Sequence, residues 1–309
     1  MTQFSNLNLP YGAQIGGSVV LPYSAGKVLY VGSTVASARD AANQGLTPQY
    51  PLATIDYAIG LCTADVGDII YVLPGHAETI AVAGGITCDV AGISIIGLGN
   101  GLKRPIITWS ASASTWIISA ANVTIKNILT RSSFNECILL FSVTGVGVTL
   151  DGVDFYATAG ALEARAWLDA TTAASHLTIK NCRHVQPTAA AAAQAWITLT
   201  TTSNSRIIDN SFFLVAFAAT TSIAITAATT CLQLEIARNN IVWAGATITK
   251  IMDVGASTGI ICDNRMGGGA QITAAAAITG TAAFVSQNFC LNNATWGSGL
   301  LAPAAGAYT

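Results

Sequence analysis

Two pairs of ionisable side chains are close enough in the sequence to form a catalytic site. His76 and Glu78 are two residues apart, so an extended strand would place both on one face, where they could act as an acid/base pair. Asp151 and Asp154 are the closest acids within the repeat described below, and paired carboxylates are what glycoside hydrolysis requires. Each pair also has a structural interpretation. The first would be the solvated flank of a turn, and the second would consist of partners in ion pairs.

Two histidines and seven cysteines are the remaining candidates for chemistry. His176 and His184 bracket the segment 177–182 without an acidic neighbour, and we interpret them as surface or loop residues. The cysteines show neither CxxC pairs nor zinc spacing, so we expect them to fill core positions, while their odd number leaves room for one intermolecular disulfide. No Ser/His/Asp set or phosphate-binding loop occurs. We therefore predict no catalytic, cofactor-binding or metal-binding residue. The cysteines are Cys62, Cys88, Cys137, Cys182, Cys231, Cys262 and Cys290.

The elements that carry these residues belong to a repeat. The hexapeptide 123–128 (VTIKNI) recurs along the chain, and its fifth position is occupied by Asn or Gly. Neighbouring copies are 24 to 30 residues apart, which indicates a solenoid whose coils differ in loop length. The other copies span 93–98, 148–153, 177–182, 206–211, 260–265 and 284–289, with Asn239 or Asn240 filling the gap before Asn264.

Alternation within the hexapeptide predicts a strand with one buried face. Val123, Ile125 and Ile128 would point inward, and Thr124 and Lys126 outward. Because coils stack at about 4.8 Å, each position becomes a column along the solenoid. The fifth column would form a ladder of side-chain amides that satisfies the turn backbone. Glycine fits there because such a turn requires a left-handed or bridge conformation. This column would contain Gly97, Asn127, Gly152, Asn181, Asn210, Asn264 and Asn288.

The fourth column alternates in charge from one coil to the next. Each exposed ion pair contributes only about 0–1 kcal/mol, but like charges in one column would repel, so the alternation favours a single coil register. The acids that an enzyme would need are thereby expected to stabilise the stack. The column reads Lys126, Asp151, Lys180, Asp209, Arg238 (in the register that uses Asn239) and Asp263.

Composition excludes several classes of protein. Of the 309 residues 9% are charged and 52% are hydrophobic, the net charge is −2, and the mean hydropathy is +0.54. No apolar run reaches the roughly 18 residues of a membrane span. The N-terminus lacks the basic and apolar regions of a secretory signal peptide, and the thirteen Lys and Arg residues form no stripe for nucleic acid. We expect so apolar a surface to be covered by self-association.

The N-terminal part has its own elements. Residues 27–31 read as a first strand, residues 52–62 as a short helix with Ile55, Ala58, Ile59 and Cys62 on one face, and residues 69–73 as a second strand.

This part of the chain resembles a known family. The order 51–59 (PLATIDYAI) and then 67–78 (GDIIYVLPGHAE) resembles the opening of right-handed parallel β-helix proteins of the pectin-lyase-like superfamily. In that superfamily a short helix caps the first coil and a Gly-Asp turn precedes the first strand. The continuation 92–101 (GISIIGLGNG), followed by Arg104, is similar to phage virion proteins of this superfamily.

The resemblance implies an all-β chain that forms a single right-handed parallel β-helix with a short N-terminal capping helix. We expect about 8 coils of 24–30 residues. Residues 1–45 would form an attachment arm and the first strand, 46–290 the β-helix, and 291–309 a tail or terminal strand. The implied function is that of a non-enzymatic virion protein. It would be a homotrimeric capsid decoration protein on the particle surface, in contact with other virion proteins such as the major capsid protein.

Two other functions remain open from the sequence. A tail spike or fibre could bind or cut a surface polysaccharide with an acid cluster assembled from several coils. The six tryptophans, however, are spread about one per coil, which favours packing over a sugar-stacking groove. An ice- or surface-binding solenoid is suggested by the Thr-rich segments 198–202 and 223–230, but the irregular coil length argues against the flat lattice that it requires.

Overall fold

The computed structural model describes residues 26–157, 162–171, 173–186, 195–216, 224–245, 250–268 and 278–293, together with short strands at 14–15, 18–19 and 297–300. Residues 1–13, 16–17 and 20–25 of the predicted attachment segment, most of the predicted tail and Trp296 lie outside the described residues.

Nearly every regular element is a β-strand, because apolar and polar residues alternate with the period of an extended chain. In the described residues the helices are α1 (Ile55–Gly60) and a 3-10 turn (Gly101–Lys103), and neither is long and apolar enough to cross a membrane. The strands are β1 Gln14–Ile15, β2 Ser18–Val19, β3 Val28–Val31, β4 Ile69–Val72, β5 Ala77–Ile80, β6 Ile86–Cys88, β7 Ser94–Gly97, β8 Ile106–Trp109, β9 Trp116–Ile118, β10 Thr124–Lys126, β11 Leu129–Ser132, β12 Phe141–Val143, β13 Thr149–Asp151, β14 Asp154–Tyr156, β15 Leu168–Ala170, β16 Thr178–Lys180, β17 Arg183–Val185, β18 Ile197–Leu199, β19 Arg206–Ile208, β20 Ser211–Ala216, β21 Ile225–Ala227, β22 Leu234–Ala237, β23 Asn240–Gly245, β24 Met252–Cys262, β25 Arg265–Gly268, β26 Ile278–Ser286, β27 Phe289–Asn293 and β28 Gly297–Leu300.

The strands from β3 onward stack into three ladders, and most coils contribute one strand to each ladder. The first ladder runs β3, β4, β7, β10, β13, β16, β19, β22; the second runs β5, β8, β11, β14, β17, β20, β23, β25, β27; the third runs β6, β9, β12, β15, β18, β21. Pairing along the ladders is parallel, and β28 closes the second ladder as an antiparallel terminal strand. The predicted parallel β-helix is confirmed, with about seven turns.

Side chains at alternate positions fill the space between the ladders. Val123, Ile125 and Ile128 are completely buried, and Lys126 is exposed, as predicted from the alternation. Because the interior is continuous from coil to coil, each buried side chain also packs on its counterparts in the coils before and after it.

Aromatic rings form a cluster in this interior. Trp109, Trp116 and Trp167 surround Phe141 with ring centroids 5.4 to 5.5 Å from it, and all four are completely buried. The described tryptophans are therefore core residues, in agreement with the packing interpretation.

The strand pairing corrects the predicted columns in the C-terminal half. Thr178 pairs with Arg206, so every copy from residue 206 onward is shifted by one position from the alignment by sequence. Arg206, Ile260 and Phe284 point outward instead of inward, and the last two are about half exposed. The physical reason is that burying an unpaired guanidinium is far more costly than burying the neighbouring Ile207.

The shift separates one predicted column into two. The first of these two columns, the left-handed column, lies directly after the strands of the first ladder and their continuation in β24 and β26. Its residues have φ between 52° and 64°, and they are Asn127, Gly152, Asn181, Asp209, Arg238, Asp263 and Gln287. The second is buried and contains Ile128, Val153, Cys182, Asn210, Asn239, Asn264 and Asn288. The continuous amide ladder therefore consists of Asn210, Asn239, Asn264 and Asn288, and Asn127 and Asn181 lie outside it.

The first coil is closed by α1 and the loop before it. The Oγ1 of Thr54 caps the helix by accepting the N–H of Tyr57 at 3.3 Å, and Ile55 and Ile59 are buried beneath it. The helix is shorter than the predicted 52–62 because Leu52 is still extended. Its N–H donates to the carbonyl of Tyr30 in β3 at 2.8 Å.

The first and third ladders merge at the C-terminal end. Met252 at the start of β24 pairs with β21 of the third ladder, whereas Gly259 to Cys262 at its end pair with β22 of the first. The strand β26 follows the same course beside β24. One long strand thus replaces two strands and the turn between them.

Candidate functional site

His76 and Glu78 form a hydrogen-bonded pair at the N-terminal end of the second ladder. The Nε2 of His76 lies 3.1 Å from the Oε2 of Glu78. The backbone N–H of Ser33 donates to Nδ1 of His76 at 3.0 Å, so the ring carries its proton on Nε2 and donates it to the carboxylate. His76 is completely buried, and the prediction of a solvated turn flank is therefore wrong.

The same carboxylate also holds the N-terminus of α1. The Oε2 of Glu78 accepts the N–H of Ile55 at 3.0 Å, one of the helix donors that have no partner within the helix. The His76–Glu78 pair thus joins the loop at Ser33, the strand β5 and the helix α1. With both imidazole nitrogens engaged and the ring shielded from solvent, this arrangement links three segments of the first coil.

Asp151 lies between two lysines in the column where the charges were predicted to alternate. Its Oδ2 is 3.4 Å from the Nζ of Lys126 and 3.7 Å from the Nζ of Lys180. Its Oδ1 accepts a hydrogen bond from the Nδ2 of Asn181 at 2.8 Å. The alternation is confirmed over these three coils and stops there, because Lys180 pairs with Ile208.

The later members of the predicted charge column lie in the left-handed column instead. The Nε and Nη2 of Arg238 donate to the two carboxylate oxygens of Asp209 at 2.8 and 3.0 Å. This hydrogen bonding lowers the pKa of Asp209. The ion pair still joins neighbouring coils, as expected, but one position further along the chain.

Asp154 is held by Arg104 and not by a shared site with Asp151. The Nη1 of Arg104 donates to the Oδ2 of Asp154 at 2.6 Å, and its Nη2 donates to the carbonyls of Ile128 at 3.0 Å and Gly152 at 2.7 Å. The two aspartates belong to different ladders, β13 of the first and β14 of the second. The guanidinium therefore clamps successive turns of the solenoid.

His184 is a core residue, contrary to the prediction of a surface position. Its ring centroid lies 4.3 Å from that of Trp167, 5.1 Å from that of Phe212 and 5.8 Å from that of Trp196. Neither ring nitrogen has a hydrogen-bond partner among the described residues, and burial lowers the pKa of His184 to about 3. His176, in contrast, is exposed in a left-handed turn, as predicted.

The cysteines behave as core-filling thiols. All seven are free, and five of them are buried. Burial raises the pKa of Cys88 and that of Cys182 to about 12, so neither forms a thiolate near neutral pH. The interpretation as core residues is confirmed for these five, and a disulfide between chains stays a prediction.

Asp169 is an acid that the sequence did not single out. It points outward from β15 between Ser142 and Thr198 of the third ladder. Burial raises its pKa, and its Oδ1 has no hydrogen-bond partner in the described part of the chain. In that part no three His, Cys, Asp or Glu side chains converge to hold a metal ion.

A groove of about 490 Å³ opens on the outer face of the second ladder near its C-terminal end. It is lined by Val242, Met266, Gly267 and Phe289. Asn240 and Arg265, which are paired in the sheet, also line it, and Phe289 is about half exposed. This groove could not be predicted from the sequence, because its residues come from three coils.

Comparisons with known proteins add a phage neighbour. No protein-family model and no curated protein matches the chain. Among solved structures, it is similar to ORF18 of Geobacillus virus E2, with 10% sequence identity and a TM-score of 0.40, over 88% of this chain and 63% of that chain. The chain thus spans less than two thirds of the length of that phage protein. Membership of the pectin-lyase-like superfamily stays a prediction.

Proposed function

We propose that the chain is a non-enzymatic structural protein of a bacteriophage particle, a capsid decoration protein that assembles as a homotrimer. The observation that carries the proposal is that the candidate acidic side chains form ion pairs within the chain. Asp151 lies between two lysines and Asp154 is bound by Arg104, whereas a hydrolase needs carboxylates that face its substrate. Here the closest pair of carboxylates joins coil to coil.

The organisation of the solenoid supports a mechanical role. Backbone hydrogen bonds and side-chain amides connect a coil to its immediate neighbours, which is the arrangement of repeat proteins, and Arg104 reaches Asp154 two coils away. Coils stacked at about 4.8 Å form a continuous rod. Such a body can cover or project from a surface without a mobile catalytic loop.

The virion assignment is supported by the resemblance of the N-terminal elements. In the structure, the Gly-Asp turn of the quoted motif leads into β4. Asp68 is completely buried, and its Oδ2 accepts the N–H of Thr63 after the helix at 2.6 Å. We place the protein on the particle surface, made in the host cytoplasm, with residues 1–45 attached to other virion proteins such as the major capsid protein.

Purified particles of the virus that encodes the chain provide the test. Peptides of this chain should be present in intact particles, and an antibody against the β-helix should label the capsid surface in electron micrographs. Labelling confined to the tail favours the second candidate below. Absence of the protein from the particles contradicts the proposal.

The homotrimer is tested separately by the mass in solution. Sedimentation equilibrium should give three times the chain mass of 31.6 kDa. A stable monomer at micromolar concentration contradicts self-association.

A tail spike or fibre that binds a surface polysaccharide is the second candidate, because the groove offers suitable groups. The exposed ring of Phe289 could stack on a sugar, and Arg265 and Asn240 could donate to a carboxylate or hydroxyl. Calorimetric titration with acidic and neutral capsular oligosaccharides tests this candidate. Binding that is abolished by Phe289→Ala supports it, and absence of binding to the wild-type protein contradicts it. Shortened glycan chains after incubation would identify cleavage.

A further inference from the structure

Asn100 and Gly101 lie at an exposed loop tip between the first and second ladders. They follow β7 and precede β8, in the turn that contains the 3-10 helix, and both residues are exposed. The sequence contains no other Asn-Gly pair. A glycine after an asparagine has no Cβ, so its backbone nitrogen can approach the side-chain amide of the asparagine without steric hindrance.

Both groups that would react in this pair are free of hydrogen bonds in the part of the chain that the structure describes. Asn100 occupies the N-cap position of the 3-10 helix, but its side chain makes no capping hydrogen bond. The backbone N–H of Gly101 donates to none of the described residues. A Cβ at Gly101 would meet no atom within 4 Å, so the space around its backbone nitrogen is open.

The loop tip is anchored on both sides. The carbonyl of Gly99 accepts the Nδ2 of Asn127 at 3.1 Å, and the carbonyl of Lys103 accepts the N–H of Gly75 at 2.8 Å. Between these anchors, the carbonyl of Asn100 accepts the N–H of Lys103 at 3.0 Å. The peptide group after Asn100 can therefore rotate once this exposed hydrogen bond has opened, while the rest of the coil keeps its contacts.

A related pair, Asp151 and Gly152, is held by its neighbours. The carboxylate of Asp151 lies beside Lys126 and Lys180, and its Oδ1 accepts the Nδ2 of Asn181 at 2.8 Å. The N–H of Gly152 donates to the carbonyl of Lys180 at 3.0 Å. The carboxylate and the backbone nitrogen of this pair are thus both engaged, whereas the corresponding groups of the loop tip are accessible.

We propose that Asn100 is a site of spontaneous deamidation in the folded chain. The backbone nitrogen of Gly101 attacks the Cγ of Asn100, and an N–Cγ bond forms. The proton of this nitrogen passes to the side-chain nitrogen, the Cγ–Nδ2 bond breaks, and ammonia leaves behind a cyclic succinimide. Water then opens the ring. Addition of water at Cγ gives aspartate, and addition at the backbone carbonyl carbon gives isoaspartate, in which the main chain runs through the former side chain.

The product changes the charge and the length of this loop. A carboxylate appears three residues before Lys103 and four residues before Arg104, the residue that binds Asp154. Isoaspartate in addition lengthens the main chain by one carbon atom between the two anchored carbonyls. Because Leu102 within the tip is 97% exposed, solvent can accommodate the added atom, and the solenoid should remain folded. Each chain would then carry an irreversible record of its age.

Mass spectrometry of the folded protein during incubation at mildly alkaline pH provides the test. The proteolytic peptide that contains Asn100 should gain about 1 Da, and fragmentation at the N–Cα bonds should distinguish aspartate from isoaspartate. A synthetic peptide of residues 97–104 gives the rate without the fold. Because one exposed hydrogen bond has to open, the folded protein should react within about tenfold of that rate. Circular dichroism at each time point confirms that the chain is folded.

Two controls separate the site from the remainder of the chain. Asn100→Gln would require a larger ring and should stop the mass gain at this position. Asp151 should form isoaspartate when the chain is unfolded in urea but not when it is folded. An Asn100 that persists in the folded chain after the synthetic peptide has been fully converted overturns the proposal. Isoaspartate that forms equally fast at Asp151 and Asn100 of the folded chain also overturns it, because the fold would then protect neither pair.

Discussion

The side-chain amide of Asn239 donates from Nδ2 to the Oδ1 of Asn264 in the next coil at 2.9 Å. The same Oδ1 also accepts the backbone N–H of Asn239 at 3.0 Å. Both side chains are buried, and the pattern continues from Asn210 to Asn288. Each amide therefore satisfies backbone groups that the turn would otherwise leave without partners.

Substitution of one ladder asparagine should be far more costly than substitution of its neighbour. Asn239→Leu keeps the volume but leaves the N–H of Asn210, the carbonyl of Ile207 and the Oδ1 of Asn264 with fewer partners. We expect a loss of about 3–5 kcal/mol in the free energy of unfolding, measured by urea denaturation. Asn240→Leu, at an exposed position, should change it by less than about 0.5 kcal/mol. Equal losses would contradict the ladder.

The left-handed column predicts the rank order of substitutions at Gly152. Its φ is 64°, and a Cβ there would meet no atom closer than 3.9 Å, so backbone strain alone decides the cost. Gly152→Ala should lose about 1 kcal/mol, and Gly152→Asn should lose less because asparagine tolerates this conformation. Thermal unfolding of both variants measures the difference. A better tolerated alanine would show that strain is not the cause.

Arg104 should contribute more to stability than any exposed lysine of the stack. Arg104→Met leaves the carboxylate of Asp154 and two turn carbonyls without their donor, and the ion pair is largely shielded from solvent. We expect a loss of about 2–3 kcal/mol in the free energy of unfolding. The control Lys126→Met removes an exposed pairing and should cost less than about 0.5 kcal/mol. Similar values for the two variants would contradict the clamp.

His184 should make the fold sensitive to acid. Burial holds the pKa of His184 at about 3 in the folded chain, against about 6.5 in the unfolded chain, so the unfolded chain binds the proton first. The free energy of unfolding therefore keeps its full value above pH 6.5 and falls as the pH drops toward 3. Protonation of His184 should make it about 2 kcal/mol lower at pH 5 than at pH 7. Urea unfolding at both pH values measures it.

Two variants isolate that contribution. His184→Phe should reduce the loss of stability between pH 7 and pH 5 by about 2 kcal/mol, because the residue can no longer take up a proton. His176→Gln, at an exposed position, should leave the loss unchanged. If His184→Phe unfolds with the wild-type dependence on pH, the buried ring is not the acid-sensitive group.

The sequence predicted the coil correctly where alternation and turn chemistry agree. Around Val123 the apolar residues fall on one face, and the turn residue Asn127 has the expected left-handed φ of 57°. From Arg206 onward the prediction failed because asparagine suits both the left-handed column and the buried column, which are one position apart. At Asn181 it tolerates a left-handed backbone, and at Asn210 it supplies a buried amide. The charge of Arg206, which disfavours an inward position, was the feature of the sequence that indicated the shift.

The candidate site shows a different limit. The proximity of His76 and Glu78 followed from their spacing, but their burial did not. Ser33, which donates to the imidazole, is 43 residues away in the chain, and Ile55, which donates to the carboxylate, is 23 residues away. Contacts over such distances depend on how the first coil closes, and no local pattern encodes them.

Coil length changes at some turns of the solenoid and not at others. Between the first and second ladders, each coil from Asn127 onward turns with one left-handed residue and one buried residue. Between the second and third ladders the intervening chain is much longer from β14 to β15 and from β17 to β18 than from β5 to β6. These longer connections therefore all lie at one edge of the solenoid, between the second and third ladders. Foreign peptides could be grafted along that edge, one per coil at intervals of about 4.8 Å, which would make the chain a scaffold for multivalent display.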